Sequence, residues 1–352
     1  MTLDTFLAGV MMGALMTYAL LAGADFGGGI WDLVSRGPHA AAQRKAIATA
    51  IGPVWEANHV WLIFLIVVLF TCFPRAYLTA SIALFWPLHL VLVGIVLRGA
   101  SFVFRAYGVG SAGARSAWGA LFGAARAITP VLLGMCLGAI STGAIRVDGT
   151  TVTGEATWAA PFPLITGVLA LLLCAYLAAV YLAWESSGLS TEAPSAKVNV
   201  AEQFRRRALV TWLVAGVVSV LALIVARTDA PRLWSSLTAM PAVLFIVAGG
   251  LLAPASLVAL LRRRFHIARV LGGGQVVVLL AGWAAAQWPY LIYPDVTIAG
   301  SAAPVATLRL TAITLPIGFG LLLPSLWFLF ATFKTGPRSD ALRAHEAHEG
   351  DG

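Results

Sequence analysis

Charged side chains are scarce in this chain of 352 residues, and acidic side chains are the scarcest. Asp, Glu, Lys and Arg make up 11% of the residues, with 15 acidic residues against 23 basic ones. Soluble domains carry about 25% charged residues, so this composition excludes an ordinary soluble enzyme or binding module. The hydrophobic content of 60% and the mean hydropathy of +0.88 indicate an integral membrane protein instead.

Cysteine is scarce as well. Cys72, Cys136 and Cys174 are scattered within or at the edges of apolar runs, and their spacing matches neither a disulfide framework nor a metal site. Two glycine triplets begin at Gly27 and Gly272, but no Lys-Ser or Lys-Thr follows them, so they favour closely packed helix ends over a phosphate loop. We therefore predict no metal in this chain.

Apolar runs of roughly 20 residues recur along the chain, and each is long enough to cross a hydrocarbon core about 30 Å thick. Asp4 precedes the first run without a basic segment, so we expect that run to remain as an anchor. Residues 1–334 are then one all-α transmembrane domain and residues 335–352 a polar tail. Nine spans are predicted, near residues 5–23, 52–73, 77–97, 127–145, 161–184, 208–226, 241–261, 268–288 and 308–333.

The basic residues predict the orientation, because positive loops stay on the cytoplasmic side of a membrane. Of the 23 Lys and Arg, 18 fall on one side, and these include Arg98 at the end of the third predicted span. The N-terminus is then outside and the C-terminus cytoplasmic, as an odd number of spans requires. Because the positive charge is dispersed over many loops, nucleic-acid binding is not expected.

Several polar side chains fall at membrane depth. Glu56, Asn58 and His59 open the second span, and Asp25 lies where the first span reaches the same side. A tight hairpin centred on residue 74 would bring His89 of the third span to about the depth of His59. Ionisable groups at such depth mark, by default, a path for ions or protons.

The two histidines and Glu56 also have alternative roles. A lone buried histidine such as His89 is more often a structural hydrogen bonder than a functional group. Glu56-x-x-His59 has the spacing of half a di-iron site, but the chain has no second Glu-x-x-His, so a di-iron site is rejected. His59 and His89 as axial ligands of one haem stay an open alternative.

Five segments carry a more specific signal: Tyr18–Gly29, Gly52–Leu62, Arg98–Arg105, Gly134–Gly138 with Gly143, and Trp288–Ile298. Taken in this order, they resemble subunit II of the cytochrome bd-type quinol oxidases over nearly the whole chain. The chain also departs from the family pattern at three places where an acid is common and Ala22, His59 and Val103 stand instead. It therefore resembles a divergent branch.

The resemblance implies two four-helix bundles plus one peripheral helix, paired with a subunit I of homologous fold. In that family subunit I carries haem b and commonly haem d, oxidises quinol and reduces oxygen. Subunit II supports subunit I and helps to conduct cytoplasmic protons. The resemblance leaves open a small third subunit, a structural quinone or lipid in this chain, and whether haem d is present.

We therefore predict a non-haem, multi-pass subunit of a quinol oxidase in the bacterial inner membrane, with no catalytic residue of its own. The proton route is assigned to Asp25, Glu56, Asn58 and His59. Walls of the route or subunit contacts are assigned to Trp55, Trp61, His89 and Arg98.

Two rival hypotheses are compatible with the same residues. A secondary transporter would also have many spans and buried acids, although inverted repeats typical of transporters are not visible here. A purely structural assembly factor would use the polar cluster only to pair with subunit I.

Overall fold

The structure is a computed structural model that describes the backbone of residues 2–107, 112–154, 156–188 and 194–335. Within these ranges the side chains of residues 51–56, 101–107, 112–120, 122, 188, 194–199 and 329–335 are not described. The predicted tail lies almost wholly outside the described residues.

Long helices dominate the described chain, as apolar runs require where backbone groups must find partners inside the segment. They are α1 (Leu3–Val34), α2 (Ala40–Cys72), α4 (Phe85–Tyr107), α5 (Ala112–Thr142), α6 (Pro161–Gly188), α7 (Pro194–Asp229), α9 (Ala242–Leu261), α10 (Phe265–Gln287) and α12 (Val305–Thr335). Short helices connect them at α3 (Pro74–Ala83), α8 (Pro231–Leu237) and α11 (Ile298–Ser301), and a 3₁₀ turn covers Thr157–Ala159.

Seven helices of the described chain are long and apolar enough to cross a membrane. An eighth is added if the bent pair Ala57–Cys72 and Pro74–Ala83 forms one span, and the apolar helix Phe85–Ala100 is shorter. The all-helical, multi-pass architecture is confirmed, whereas the number nine and the orientation stay predictions.

The third predicted span, residues 77–97, differs from the structure. It is divided at Leu84 between α3 and α4, and α3 is bent by 115° from the end of α2. Pro74 explains the bend, because it lacks an N–H and takes the first position of a new helix after Phe73 leaves the helical conformation. A lateral helix of ten residues therefore replaces the tight turn predicted at residue 74.

Helix α1 lies at the centre of the packing, against α2, α5 and α6, and α6 also packs against α7 and α10. Close approach of α5 to α6 depends on Gly134, where an added Cβ would lie 2.6 Å from the Thr166 carbonyl oxygen. Gly134 therefore has a packing role between these two helices. Gly9 and Gly13, another pair of glycines four residues apart, have no neighbour within 4 Å of such a Cβ among the described residues.

Two β-hairpins meet at one end of the bundle. Strand β1 (Arg146–Asp148) pairs with β2 (Thr151–Thr153), and β3 (Tyr290–Ile292) pairs with β4 (Val296–Thr297). Asp295 joins the hairpins, because its carboxylate accepts hydrogen bonds from Arg146 Nε at 2.8 Å and from the Val147 backbone N–H at 2.9 Å. The Arg146 guanidinium holds the pKa of the Asp295 carboxyl below its ordinary value of 3.8.

Candidate functional site

The candidate site centres on Asp25 of α1, whose side chain is 4% exposed. Arg98 of α4, which is 3% exposed, forms an ion pair with the Asp25 carboxylate. Asn58 of α2 donates a hydrogen bond from Nδ2 to Asp25 Oδ2 at 3.2 Å. Three helices thus bring one acidic side chain, one basic side chain and one amide into a single buried contact.

Arg98 is more buried than the sequence pattern predicts. The pattern places it among the basic residues at the end of the third predicted span, yet the structure places it inside α4 and buries it. The reason is helix α3, which separates the end of α2 from the start of α4. Cys72 ends α2 13 residues after His59, and Phe85 begins α4 13 residues before Arg98, so both residues lie equally far along their helices from α3.

His89 consequently lies elsewhere. It is nine residues before Arg98 on the same helix, which is about 13 Å along the axis. Its side chain is exposed, its Nδ1 lies 2.7 Å from the Phe85 carbonyl oxygen, and its ring stacks on Phe85 with centroids 3.9 Å apart. The structure therefore does not bring His59 and His89 together as ligands of one haem.

A narrow cleft opens beside the ion pair. Its lining consists of Tyr18, Phe26, Asn58, His59, Leu62, Ile95 and Arg98. Arg98 also stacks over the Phe26 ring at 5.2 Å, and Trp61 belongs to the apolar cluster that packs behind Phe26. His59 thus lies in the wall of the cleft, next to the two residues that hold Asp25.

The buried polar atoms at this site include two neutral ones without a hydrogen-bond partner among the described residues, the Tyr18 hydroxyl and Asn58 Oδ1. Unpaired buried polar atoms are costly, and water molecules commonly satisfy them. The site therefore has hydrogen-bonding capacity that the described residues do not use.

A second buried acid, Asp32, was missed by the sequence analysis. Asp32 Oδ2 lies 3.6 Å from Arg126 Nη1, and Asp32 Oδ1 lies 3.7 Å from Arg44 Nε. The Arg126 stem runs along α1 at Gly29, where an added Cβ would lie 2.9 Å from Arg126 Cβ. Asp32 follows Asp25 by seven residues, two helical turns, and this spacing is the signal that could have revealed it.

The two acids differ in their access to solvent. The Arg44 side chain is 57% exposed, whereas the Asp32 side chain is 11% exposed and that of Asp25 is 4% exposed. The exposure of these charged side chains therefore decreases from Arg44 at the surface to Asp25 inside the bundle. Trp55 and Glu56, both predicted at the site, lie outside the residues whose side chains the structure describes.

Potential metal ligands are dispersed over the fold. In the described part of the chain, no three His, Cys, Asp or Glu side chains lie close enough together to hold a metal ion.

The comparisons with known proteins agree on one family. A protein of Bacillus subtilis (strain 168), whose name assigns it as a putative subunit II of a cytochrome bd menaquinol oxidase, is 24% identical over 338 residues, or 94% of this chain and 95% of that protein. A cytochrome bd ubiquinol oxidase subunit 2 of the same organism is 34% identical over 88 residues, 25% of each chain.

The fold is also found in a solved structure. The bd oxidase from Geobacillus thermodenitrificans matches with a TM-score of 0.71 and 23% identity, covering 95% of this chain and 99% of that chain. Residues 3–333 match the family described as cytochrome bd terminal oxidase subunit II. This match decides between the oxidase-subunit hypothesis and the transporter hypothesis, and the chain belongs to the cytochrome bd terminal oxidase subunit II family.

Proposed function

We propose that this chain is the non-haem subunit of a bd-type quinol oxidase and that its buried polar cluster conducts protons toward the oxygen-reducing site of a partner. The partner is a subunit I that carries haem b, and the proposal is the same whether or not this partner also carries haem d. Family membership supports this role, and the names of the relatives indicate a quinol as the electron donor.

The observation that carries the proton role is the Asp25–Arg98 pair with Asn58 and His59 around it. A single charge buried at this depth is very costly, but the carboxylate and guanidinium together have no net charge. The pair can therefore stay inside the helix bundle and present polar atoms to the cleft. His59 on the cleft wall can accept a proton on one ring nitrogen and release one from the other.

We order the steps of the route from Arg44, its most exposed member, to the cleft. Arg44 and Asp32 form the end nearest solvent, Asp25 with Asn58 forms the middle, and His59 lies at the cleft. Glu56 precedes His59 by three residues on α2, within reach of the same helix face. The Tyr18 hydroxyl and Asn58 Oδ1 supply further hydrogen-bonding positions beside these groups.

The partner contact is assigned to the exposed stripe of α4. Trp86, Val93 and Val96 are 63%, 51% and 61% exposed, and His89 lies on the same stripe. An exposed histidine among apolar residues is poorly matched to lipid tails, whereas a neighbouring polar group of a partner would satisfy it. Of the two roles predicted for His89, this proposal keeps the subunit contact and drops the wall of the proton route.

The finer architecture belongs to the same proposal. It comprises nine spans in two four-helix bundles plus a peripheral helix, with the N-terminus outside and the tail in the cytoplasm of a bacterial inner membrane. Helix α12 supports the peripheral position, since its long apolar surface is largely exposed and Trp327 is 72% exposed. A small third subunit and a structural quinone are compatible with this arrangement.

The test is Glu56→Gln in the assembled complex. This change keeps the side-chain shape but removes the exchangeable acid, so oxygen consumption should slow by about tenfold or more, within the usual range for loss of a proton-transfer group. Haem content and assembly should stay at wild-type levels. Asp148→Asn, at an exposed acid of β1, is the matched control and should consume oxygen normally.

The proton route and the oxidase assignment would be contradicted by different results. Normal oxygen consumption by Glu56→Gln would remove Glu56 from the route. Purification of this chain without any haem-bearing partner, in cells that express the full complex, would contradict the oxidase assignment itself.

A further inference from the structure

Three consecutive arginines form the connection between α9 and α10. Arg262, Arg263 and Arg264, here named the arginine turn, are all exposed. The helices on either side contain 20 and 23 residues, which is about 30–35 Å of helix and matches the hydrocarbon thickness of a bilayer. The arginine turn therefore lies at the level of the lipid headgroups.

The backbone of the arginine turn is unusual. Arg263 has φ 56°, and among the described residues no other non-glycine residue has a positive φ. The turn is closed by the Arg264 N–H, which donates to the Ala259 carbonyl oxygen at 2.8 Å. Glycine is the usual residue at such a helix end because it has no Cβ. An arginine in this conformation is strained where glycine would not be, and such strain is typical of positions whose side chain has a function.

Further charged side chains, from α7, lie next to the arginine turn. Glu202 of α7 lies 2.6 Å from Arg205, 3.8 Å from Arg206 and 3.5 Å from Arg263, measured between side-chain oxygen and nitrogen. One carboxylate thus orients three guanidinium groups and leaves a surplus of positive charge. The side chains of Arg206 and Arg263 are still 76% and 67% exposed, so both can contact a ligand.

Apolar side chains flank the arginine turn on the membrane side. Val258, Leu261, Ile267 and Val270 are 46%, 58%, 42% and 57% exposed. Arg269 stacks 3.9 Å above the Trp184 ring, and tryptophan is typical of the membrane interface. A ligand that matches this surface has a negative headgroup and apolar chains.

We propose that the arginine turn binds the headgroup of an anionic phospholipid, whose acyl chains lie along the exposed apolar residues of α9 and α10. A free phosphate ion would use the arginines but not the apolar flank, so the phospholipid is the ligand that accounts for both. This site is separate from the proton cluster and does not depend on the proposed function.

The experiment counts the lipids that the protein retains. The protein is purified in detergent with the subunits that accompany it, and bound phosphatidylglycerol and cardiolipin are counted by native mass spectrometry. The double variant Arg262→Gln with Arg264→Gln should retain about tenfold less anionic lipid, since each arginine near a membrane surface adds to the attraction. The control Arg36→Gln with Arg309→Gln removes the same charge at two other exposed positions and should retain the wild-type amount.

A second variant separates loss of lipid binding from misfolding. Arg263→Gly places glycine in the left-handed conformation that it favours, so folding should be undisturbed while lipid retention falls. Equal lipid retention by all variants, or equal retention of phosphatidylcholine, would overturn the proposal. Displacement of the lipid by inorganic phosphate would show a free-anion site. Loss of a bound polypeptide from the variants would show a protein interface. Either outcome would also overturn the phospholipid proposal.

Discussion

Asp25 and Arg98 show how strongly one buried pair depends on both of its members. Each side chain is almost fully buried, and removal of one charge leaves the other without compensation. Loss of one partner of a buried pair costs about 3–5 kcal/mol, whereas replacement of both charges is often close to neutral. The pair is therefore suited to a double-mutant cycle.

At the residue scale, we predict that Arg98→Gln lowers the free energy of unfolding by about 3–5 kcal/mol. The double variant Asp25→Asn with Arg98→Gln should recover most of that loss, because it leaves no isolated charge. Thermal unfolding of the purified complex measures both effects. A double variant as unstable as Arg98→Gln would contradict the coupling. A stable but slow double variant would separate the structural role of the pair from its role in proton transfer.

At the scale of elements, the two hairpins are tied together at Asp295, which lies outside the membrane-spanning helices. Because the pKa of Asp295 is lowered in the folded protein, its stabilising effect is complete at pH values well above 3.8. The effect disappears as the pH falls through the lowered pKa. The contact between hairpins should therefore be stable at pH 5 and weaken only in strong acid.

Hydrogen exchange at the Val147 backbone N–H, corrected for the intrinsic rate, measures this contact. We predict that Asp295→Asn lowers the protection of that amide at pH 5 by about three- to tenfold, because the neutral amide oxygen of Asn accepts a weaker hydrogen bond than the charged carboxylate. The variant should also show no further loss of protection in strong acid. Protection that falls in parallel in wild type and variant would show that another acid controls the contact. Asp148→Asn, on the same hairpin, serves as the matched control.

At the scale of the whole molecule, a substitution in the exposed stripe of α4 tests whether this surface faces lipid or a partner subunit. We predict that His89→Leu lowers the yield of assembled complex by about threefold or more, as expected for loss of one interfacial hydrogen bond. If the stripe faced lipid, leucine would suit it better than histidine and assembly would be unchanged or improved. Co-purification of the haem-bearing partner measures the outcome, and Val96→Ile on the same stripe is the control.

Family membership, the all-helical membrane fold and the polar interruptions at Asp25 and Asn58 could all be predicted from the sequence. Apolar runs have few alternatives in a bilayer, since backbone polar groups must be satisfied within each helix. Polar residues inside such runs are equally visible, because they interrupt a pattern that is otherwise apolar. Arg98 could not be placed, because its depth depends on a bend at Pro74 whose angle no local pattern specifies.

Composition by itself determined that this protein is a helical membrane protein, because transfer of each segment into lipid is decided locally. The order of the motifs indicated its family. Only the tertiary structure decided which polar groups meet. It paired Asp25 with Arg98 in place of a match between His59 and His89, and it joined Asp32 to Arg44 and Arg126. The physical reason is that an ion pair depends on the relative depth and rotation of separate helices, and the bend between α2 and α3 sets that depth.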